Sequence, residues 1–261
     1  MTRRAVVPED ETSQVTRKHN RIAKKSSEKV VVKEKFMEER SLKPVTAMTE
    51  KQKKYLKALN NPDVQVVVAL GYHGTGKTFL AAVTAADKFR VKEITKIIVA
   101  RPYVQTGRTS GYKPGSSFEK LYPYVRNVLD TVKQRIGMGA YETALKDGLT
   151  GGIEVQEVES IRGRSFDEPS FLIIDEAQQT TADEMESIIT RISDKTKLVL
   201  CGDINQKDIH GKSGMEWFID FVKRHDIPGV EIVNFDDPQD IVRGGFVKNI
   251  AIGLMKDRGN K

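Results

Sequence analysis

Lys77 and Thr78 close a glycine-punctuated run, Gly71-Tyr72-His73-Gly74-Thr75-Gly76-Lys77-Thr78, that fits the pattern G-x-x-x-x-G-K-[ST]. Glycines at these positions let a loop wrap a phosphate chain with its backbone N–H groups, and a helix N-terminus directly behind favours the negative charge. Lys77 would reach the β- and γ-phosphates and Thr78 would offer its hydroxyl to Mg2+, so Gly71 through Phe79 is the expected nucleotide-binding stretch. His73 reads as a tolerated spacer in that loop. Further along, Phe171-Leu172-Ile173-Ile174 runs into the carboxylates Asp175 and Glu176. Asp175 would hold Mg2+, directly or through water, and Glu176 would polarise a water for attack on the γ-phosphate, which points to hydrolysis more than to transfer onto a metabolite. A third run, Lys197 to Cys201, leads into Gly202-Asp203-Ile204-Asn205-Gln206, where Gln206 is the candidate sensor of a bound γ-phosphate. Four scattered His and a single Cys show no zinc-ligand spacing.

These residues need a sheet to bring them together. Short β-branched or apolar runs at 64–70, 97–100, 153–155, 171–174, 197–201 and 230–235 alternate with helical segments. They are continuously apolar, as strands buried on both faces are, so the fold expected is α/β with a mostly parallel sheet flanked by helices on both faces. Such sheets place their ligands at the carboxyl ends of the strands, where both motifs fall. The chain has 261 residues, enough for one large domain or two small ones. Its charge is uneven: residues 1–45 hold 12 Lys+Arg against 7 Asp+Glu, five of the seven net positive charges. That stretch is read as a basic flexible extension, 46–255 as the folded domain and 256–261 as a short tail. No apolar stretch approaches the ~18 to 20 residues of a membrane span, and the opening residues lack the apolar centre of a secretory signal. With the lone Cys201, a reducing compartment and a cytoplasmic location are expected.

The order of motifs resembles the PhoH-like proteins, P-loop ATPases related to the nucleotide-binding half of superfamily 1 helicases. The resemblance covers about 46–253 and is carried by Thr49-Glu50-Lys51-Gln52, Gly71 to Thr78, and Ile98-Val99-Ala100-Arg101-Pro102 with Gly107 and Pro114-Gly115. It continues through Arg162-Gly163-Arg164-Ser165, Asp175 to Thr181, Gly202-Asp203 with Gln206, and Asp240-Ile241-Val242-Arg243. Arg108, Gln179 and Gly244 depart from the family's usual residues. The form resembled is the short one without a nuclease domain, as bacteriophages carry. It implies a RecA-like core and a Mg2+-dependent ATPase. Gln52, 25 positions before Lys77, resembles an adenine-reading glutamine; the alternative is that Thr49-x-x-Gln52 is a helix capping box. Thr181-x-x-Glu184 is read as a second such box.

Residues 101–126 hold five Lys+Arg against one acid, interleaved with Tyr103, Tyr112, Phe118, Tyr122 and Tyr124. Rings that stack bases at roughly 1 to 3 kcal/mol each, beside cations that neutralise phosphates, suit single-stranded RNA or DNA. Arg101, Tyr103, Arg108, Tyr112 and Lys113, with Arg162 and Arg164, form the expected nucleic-acid surface; the alternative makes the rings core residues. Helicases of the resembled kind place ATP between two RecA-like cores, and this chain has room for one. A homo-oligomer is therefore expected, plausibly a hexameric ring, with an Arg completing the site: Arg243 first, Arg191 and Arg101 as alternatives. The function expected is ATP hydrolysis that drives translocation on, or remodelling of, a single strand. The alternative is an ATP-binding regulatory or assembly module acting on a protein partner.

Overall fold

Runs of β-branched residues with apolar side chains at consecutive positions can be stable in water only if both faces of the resulting strands are covered. The computed structural model, which describes residues 44–102, 116–146, 150–163 and 165–259, shows how that is done. Six strands, β1 (Val66–Gly71), β2 (Lys96–Arg101), β3 (Ile153–Glu157), β4 (Ser170–Ile174), β5 (Thr196–Gly202) and β6 (Val230–Phe235), form one sheet. The spatial order is β3-β2-β4-β5-β1-β6, and every neighbouring pair is parallel.

The two-residue period of the strands divides their side chains between two cores. Val67, Ala69, Ile97, Val99, Phe171 and Ile173 face one layer. That layer comprises α1 (Glu50–Asn60), α2 (Lys77–Arg90), α3 (Ser117–Ile136) and α4 (Met138–Leu145). Val68, Ile98, Ala100, Leu172, Ile174 and Leu200 face the other, which holds α5 (Ala182–Ile189) and α6 (Gly214–His225). Burying each Val, Leu or Ile side chain contributes about 1.5 to 3 kcal/mol. The small residues Ala81, Ala82, Ala85 and Ala86 let α2 lie close to the sheet. This two-sided burial is the arrangement the continuous apolar runs predict. A last helix, α7 (Gly245–Gly259), extends past residue 255, where the short tail was expected to begin.

Side-chain caps fix where the helices begin, and hence where their dipoles point. Ser116 with Glu119, Thr181 with Glu184 and Ser213 with Glu216 form reciprocal capping boxes at α3, α5 and α6. The box at Thr181 is the one read from the sequence; α5 itself stops at Ile189. Arg135 grips Asp87 with Nε at 3.0 Å from Oδ1, tying α3 to α2. The start of α2 is different. Its N-cap is Gly76, which has no side chain, so the first N–H groups of α2 are left for something else to satisfy.

Candidate active site

The strand order lines up four strand ends on one rim: β1 with its glycine loop, then β5 with Gly202-Asp203, β4 with Asp175-Glu176, and β2 with Arg101. Residues far apart in sequence therefore share a cleft of about 670 Å3, lined among others by Lys77, Thr78, Arg101, Asp175, Glu176 and Arg243.

The loop leaves β1 through Gly71, at φ +128, where an added Cβ would lie 2.1 Å from the Phe235 carbonyl oxygen. Only glycine fits, because Tyr72 N–H donates to that same oxygen at 2.9 Å and draws the loop onto β6. Gly74 and Gly76 also have positive φ, 80° and 83°. Inside the loop the Lys77 ammonium donates to the Gly71 and Tyr72 carbonyls at 2.6 and 2.8 Å, with Thr75 Oγ1 at 3.4 Å. Burial pulls Lys77 below the ordinary lysine range, while Cys201 and the carboxylates Asp203, Asp175 and Glu176 act in the opposite sense. The loop is braced from two sides. Val242 N–H donates to Gly74 O at 3.0 Å, which brings the exposed Arg243 over Gly74. Gln52 Nε2 donates to Thr75 O at 2.9 Å, and Gln52 Oε1 accepts from Met48 N–H at 2.8 Å. Gln52 is only 3% exposed. Thr49 caps α1 through Gln52 N, so the capping geometry is present and the amide serves backbone on both sides. Phe79, 52% exposed, stands at the cleft edge.

Thr78 Oγ1 donates to Asp175 Oδ1 at 2.8 Å. Burial raises the Asp175 pKa, and the Thr78 hydrogen bond and the Arg101 charge partly offset that. Glu176 sits in the left-handed region at φ 54, a strained backbone for a side-chain-bearing residue that turns its carboxylate toward the cleft. Its Oε2 accepts from Gln178 Nε2 at 2.6 Å, and Gln178 Oε1 accepts from Asp203 N–H at 3.1 Å. Gln178 is fully buried against Gly202, where a Cβ would lie 2.6 Å from Gln178 Oε1. Gln206 lies in the turn after β5: its Nε2 donates to Asp203 Oδ2 at 2.7 Å and its Oε1 pairs closely with His73 Nε2. His73 thus links the glycine loop to the Gln206 turn. Gln179 holds that turn from below, donating to Gln206 O and Asp208 Oδ2, each at 3.0 Å.

Arg101 falls in the nucleotide cleft, 3.6 Å from Asp175 Oδ2 and 3.8 Å from Glu176 Oε1. The sequence had grouped it mainly with the nucleic-acid residues. Of that group, Arg162 belongs to the turn Val158–Gly163. Tyr103, Arg108, Tyr112, Lys113 and Arg164 lie outside the described residues. Phe118 packs on the core. Tyr122 and Tyr124 are on the surface of α3 at 36% and 50% exposure. Arg191, exposed at the end of α5 beside Ser187 Oγ, does not line the cleft. Sequence reading missed Gln178 and Asp203. An amide two residues after the second acid was the available signal, but its meaning depends on β5 lying beside β4.

A glycine loop on one strand and an acidic pair two strands away, on the same rim of a parallel sheet, make this a RecA-like P-loop NTPase. The chain belongs to the PhoH-like protein family, whose model matches residues 44–253. It is 33% identical to a PhoH-like protein of Bacillus subtilis over 210 residues, covering 80% of this chain and 63% of that one. It is 33% identical to a PhoH-like protein of Mycobacterium leprae over 212 residues, covering 80% and 58%. Protein PhoH of Escherichia coli is 36% identical over 170 residues, covering 65% and 47%. The chain thus spans roughly half to two thirds of these relatives. Among solved structures it overlaps the Pif1 helicase from Candida albicans with a TM-score of 0.37, at 16% identity, over 75% of this chain and 42% of that one. The Pyrococcus furiosus Hef helicase domain gives 0.39 at 14% identity, over 75% and 40%. Among the described residues, no helix is long and apolar enough to cross a membrane.

Proposed function

We propose that the chain binds ATP with Mg2+ and hydrolyses it, coupling turnover to translocation on, or remodelling of, single-stranded RNA or DNA. The observation that carries the hydrolytic half is the 2.8 Å contact between Thr78 and Asp175, 97 positions apart in sequence. A hydroxyl and a carboxylate brought together beside a glycine loop are the two protein ligands that Mg2+ takes in such sites, the remainder coming from phosphates and water. Bound there, Mg2+ supplies charge neutralisation to the β- and γ-phosphates. Lys77 leaves the Gly71 and Tyr72 carbonyls for phosphate oxygens, and the N–H groups at the start of α2 donate to the same phosphates. Glu176, steered by Gln178, orients the attacking water and takes up its proton. The close pairing of His73 with Gln206 gives the turn after β5 a route by which to sense the γ-phosphate.

Support for the polymer half comes from α3, where Tyr124, half exposed, lines the cleft under Arg101. The homo-oligomer reading is supported by Arg243, exposed at the cleft mouth and free of the loop's own hydrogen bonds, in position to act in its own or a neighbouring site. It is also supported by α7, where Phe246, Ile250 and Leu254 form an apolar stripe at 80%, 52% and 51% exposure. The same stripe favours the second reading, a nucleotide-controlled module that docks on a protein. The test is the ATPase rate against added single-stranded RNA or DNA. Stimulation that collapses as salt rises supports the polymer half. A rate indifferent to strand, with turnover intact, removes it in favour of the protein-partner reading.

A further inference from the structure

Arg101 ends β2 directly beside the acids of β4, and in the chain without a nucleic-acid strand its guanidinium is turned onto those acids. Its guanidinium faces Asp175 Oδ2 at 3.6 Å and Glu176 Oε1 at 3.8 Å, while the Thr78 hydroxyl takes the other Asp175 oxygen. On its other side it lies over the Tyr124 ring, 5.4 Å from the centroid, and approaches the Tyr124 carbonyl at 3.5 Å. The acid contacts are longer than the 2.7 to 2.9 Å of a charge-assisted fork, so the cation rests on the carboxylates without being locked to them. The side chains of Arg101 and Glu176 are each 27% exposed and that of Asp175 is 17% exposed. At 3.6 and 3.8 Å these contacts lack the short hydrogen bonds that would hold the cation in place. A guanidinium and Mg2+ compete for the same Asp175 oxygens. A nucleic-acid phosphate can take the planar fork bidentately, whereas Asp175 and Glu176 each meet it by one long contact. Tyr124, half exposed, is also a surface on which a base can stack.

We propose that Arg101 is a positioning residue that holds Asp175 and Glu176 away from the metal-nucleotide until a single-stranded nucleic acid passing Tyr124 takes up its guanidinium. This rests on the reading of the protein as a strand-dependent ATPase and names how the strand reaches the acids. It makes Arg101 restraining: removing it activates.

The experiment uses the full chain and measures the Mg2+ concentration at half-maximal binding of fluorescent mant-ADP, with and without oligouridine, alongside ATP turnover. In the unsubstituted chain, oligouridine lowers the Mg2+ midpoint and raises turnover. Arg101→Met lowers the strand-free midpoint by roughly two- to fivefold, the equilibrium factor of a partly exposed ion pair. It raises strand-free turnover in the same proportion and leaves little for the strand to add. Arg101→Lys keeps a cation beside the acids without the planar fork, restoring the higher midpoint while the strand response stays weak. Tyr124→Leu, a surface change on α3, shifts the midpoint in the same direction as Arg101→Met and by less. An unmoved midpoint in Arg101→Met, or turnover that falls with and without strand, overturns the proposal. So does an oligouridine that binds, by fluorescence anisotropy, without moving the midpoint of the unsubstituted chain. If oligouridine does not bind at all, the strand-dependent function fails together with this inference.

Discussion

Thr78, in the first turn of α2, donates its hydroxyl to Asp175, the residue after β4, across 2.8 Å. β5 lies between the two parent strands, so the contact exists only because the parallel sheet brings both carboxyl ends to one rim. Thr78→Val removes one of the two proposed Mg2+ ligands and leaves the Asp175 carboxylate facing an apolar group. The expected outcome is a loss of about 10- to 100-fold in Mg2+-dependent ADP affinity, the range for groups that orient a metal. Thr78→Ser should restore most of it, as checked by calorimetric titration with and without Mg2+.

Gln178 holds Glu176 with one end of its amide and Asp203 N–H with the other. Gln178→Ala frees the carboxylate to wander and leaves a buried N–H without a partner. We expect kcat to fall about 10- to 100-fold with KM little changed, the behaviour of a misplaced group. Stability should fall by about 1 to 3 kcal/mol for the unsatisfied donor. Steady-state kinetics and denaturant unfolding measure the two effects separately.

The glycine loop and the Asp175-Glu176 pair were legible because each is a local pattern: glycines that impose a loop, and an apolar strand that ends in acids. The six strands were legible for the same reason, their composition being that of segments buried on both faces. What could not be read depends on lateral neighbours. Gln178 matters because β5 lies next to β4, and Arg101 meets the acids because β2 flanks β4 on the other side. Gln52 is ambiguous between cap and adenine contact, since one side chain at one spacing serves either; in the fold its amide braces Met48 N–H and Thr75 O.

Gly71→Ala should injure the loop without touching any chemical group. Its Cβ would meet the Phe235 carbonyl at 2.1 Å, and backbone cannot step aside as a flexible side chain can. A destabilisation of about 1 to 3 kcal/mol is expected from the forced overlap. Nucleotide affinity should drop with it, because Gly71 O is one of the carbonyls that hold Lys77. Ala69→Gly on the same strand, which loses only a buried methyl, should leave nucleotide affinity nearly intact.

Burial pushes the Cys201 thiol from 9.0 to about 12, with Asp175 adding to the rise and Tyr55 and Lys77 opposing it. The folded chain therefore keeps this proton where the unfolded chain has released it. The contribution of this group to stability is unchanged below about pH 9 and falls as pH rises from there toward 12. Denaturant titrations at rising alkaline pH, compared between the unsubstituted chain and Cys201→Ala, should differ by that fall, over a background set by Tyr55 and Lys197. At neutral pH the thiol, 1% exposed, should resist a thiol reagent until the chain unfolds.

If Lys77 and the Asp175-Glu176 pair act on one ATP molecule, ATP binding and phosphate release come apart in matched variants. Glu176→Gln should bind ATP with near-unsubstituted affinity and release almost no phosphate, while Lys77→Ala should lose binding. Phosphate release by Glu176→Gln at the unsubstituted rate, or undiminished ATP binding by Lys77→Ala, would contradict it.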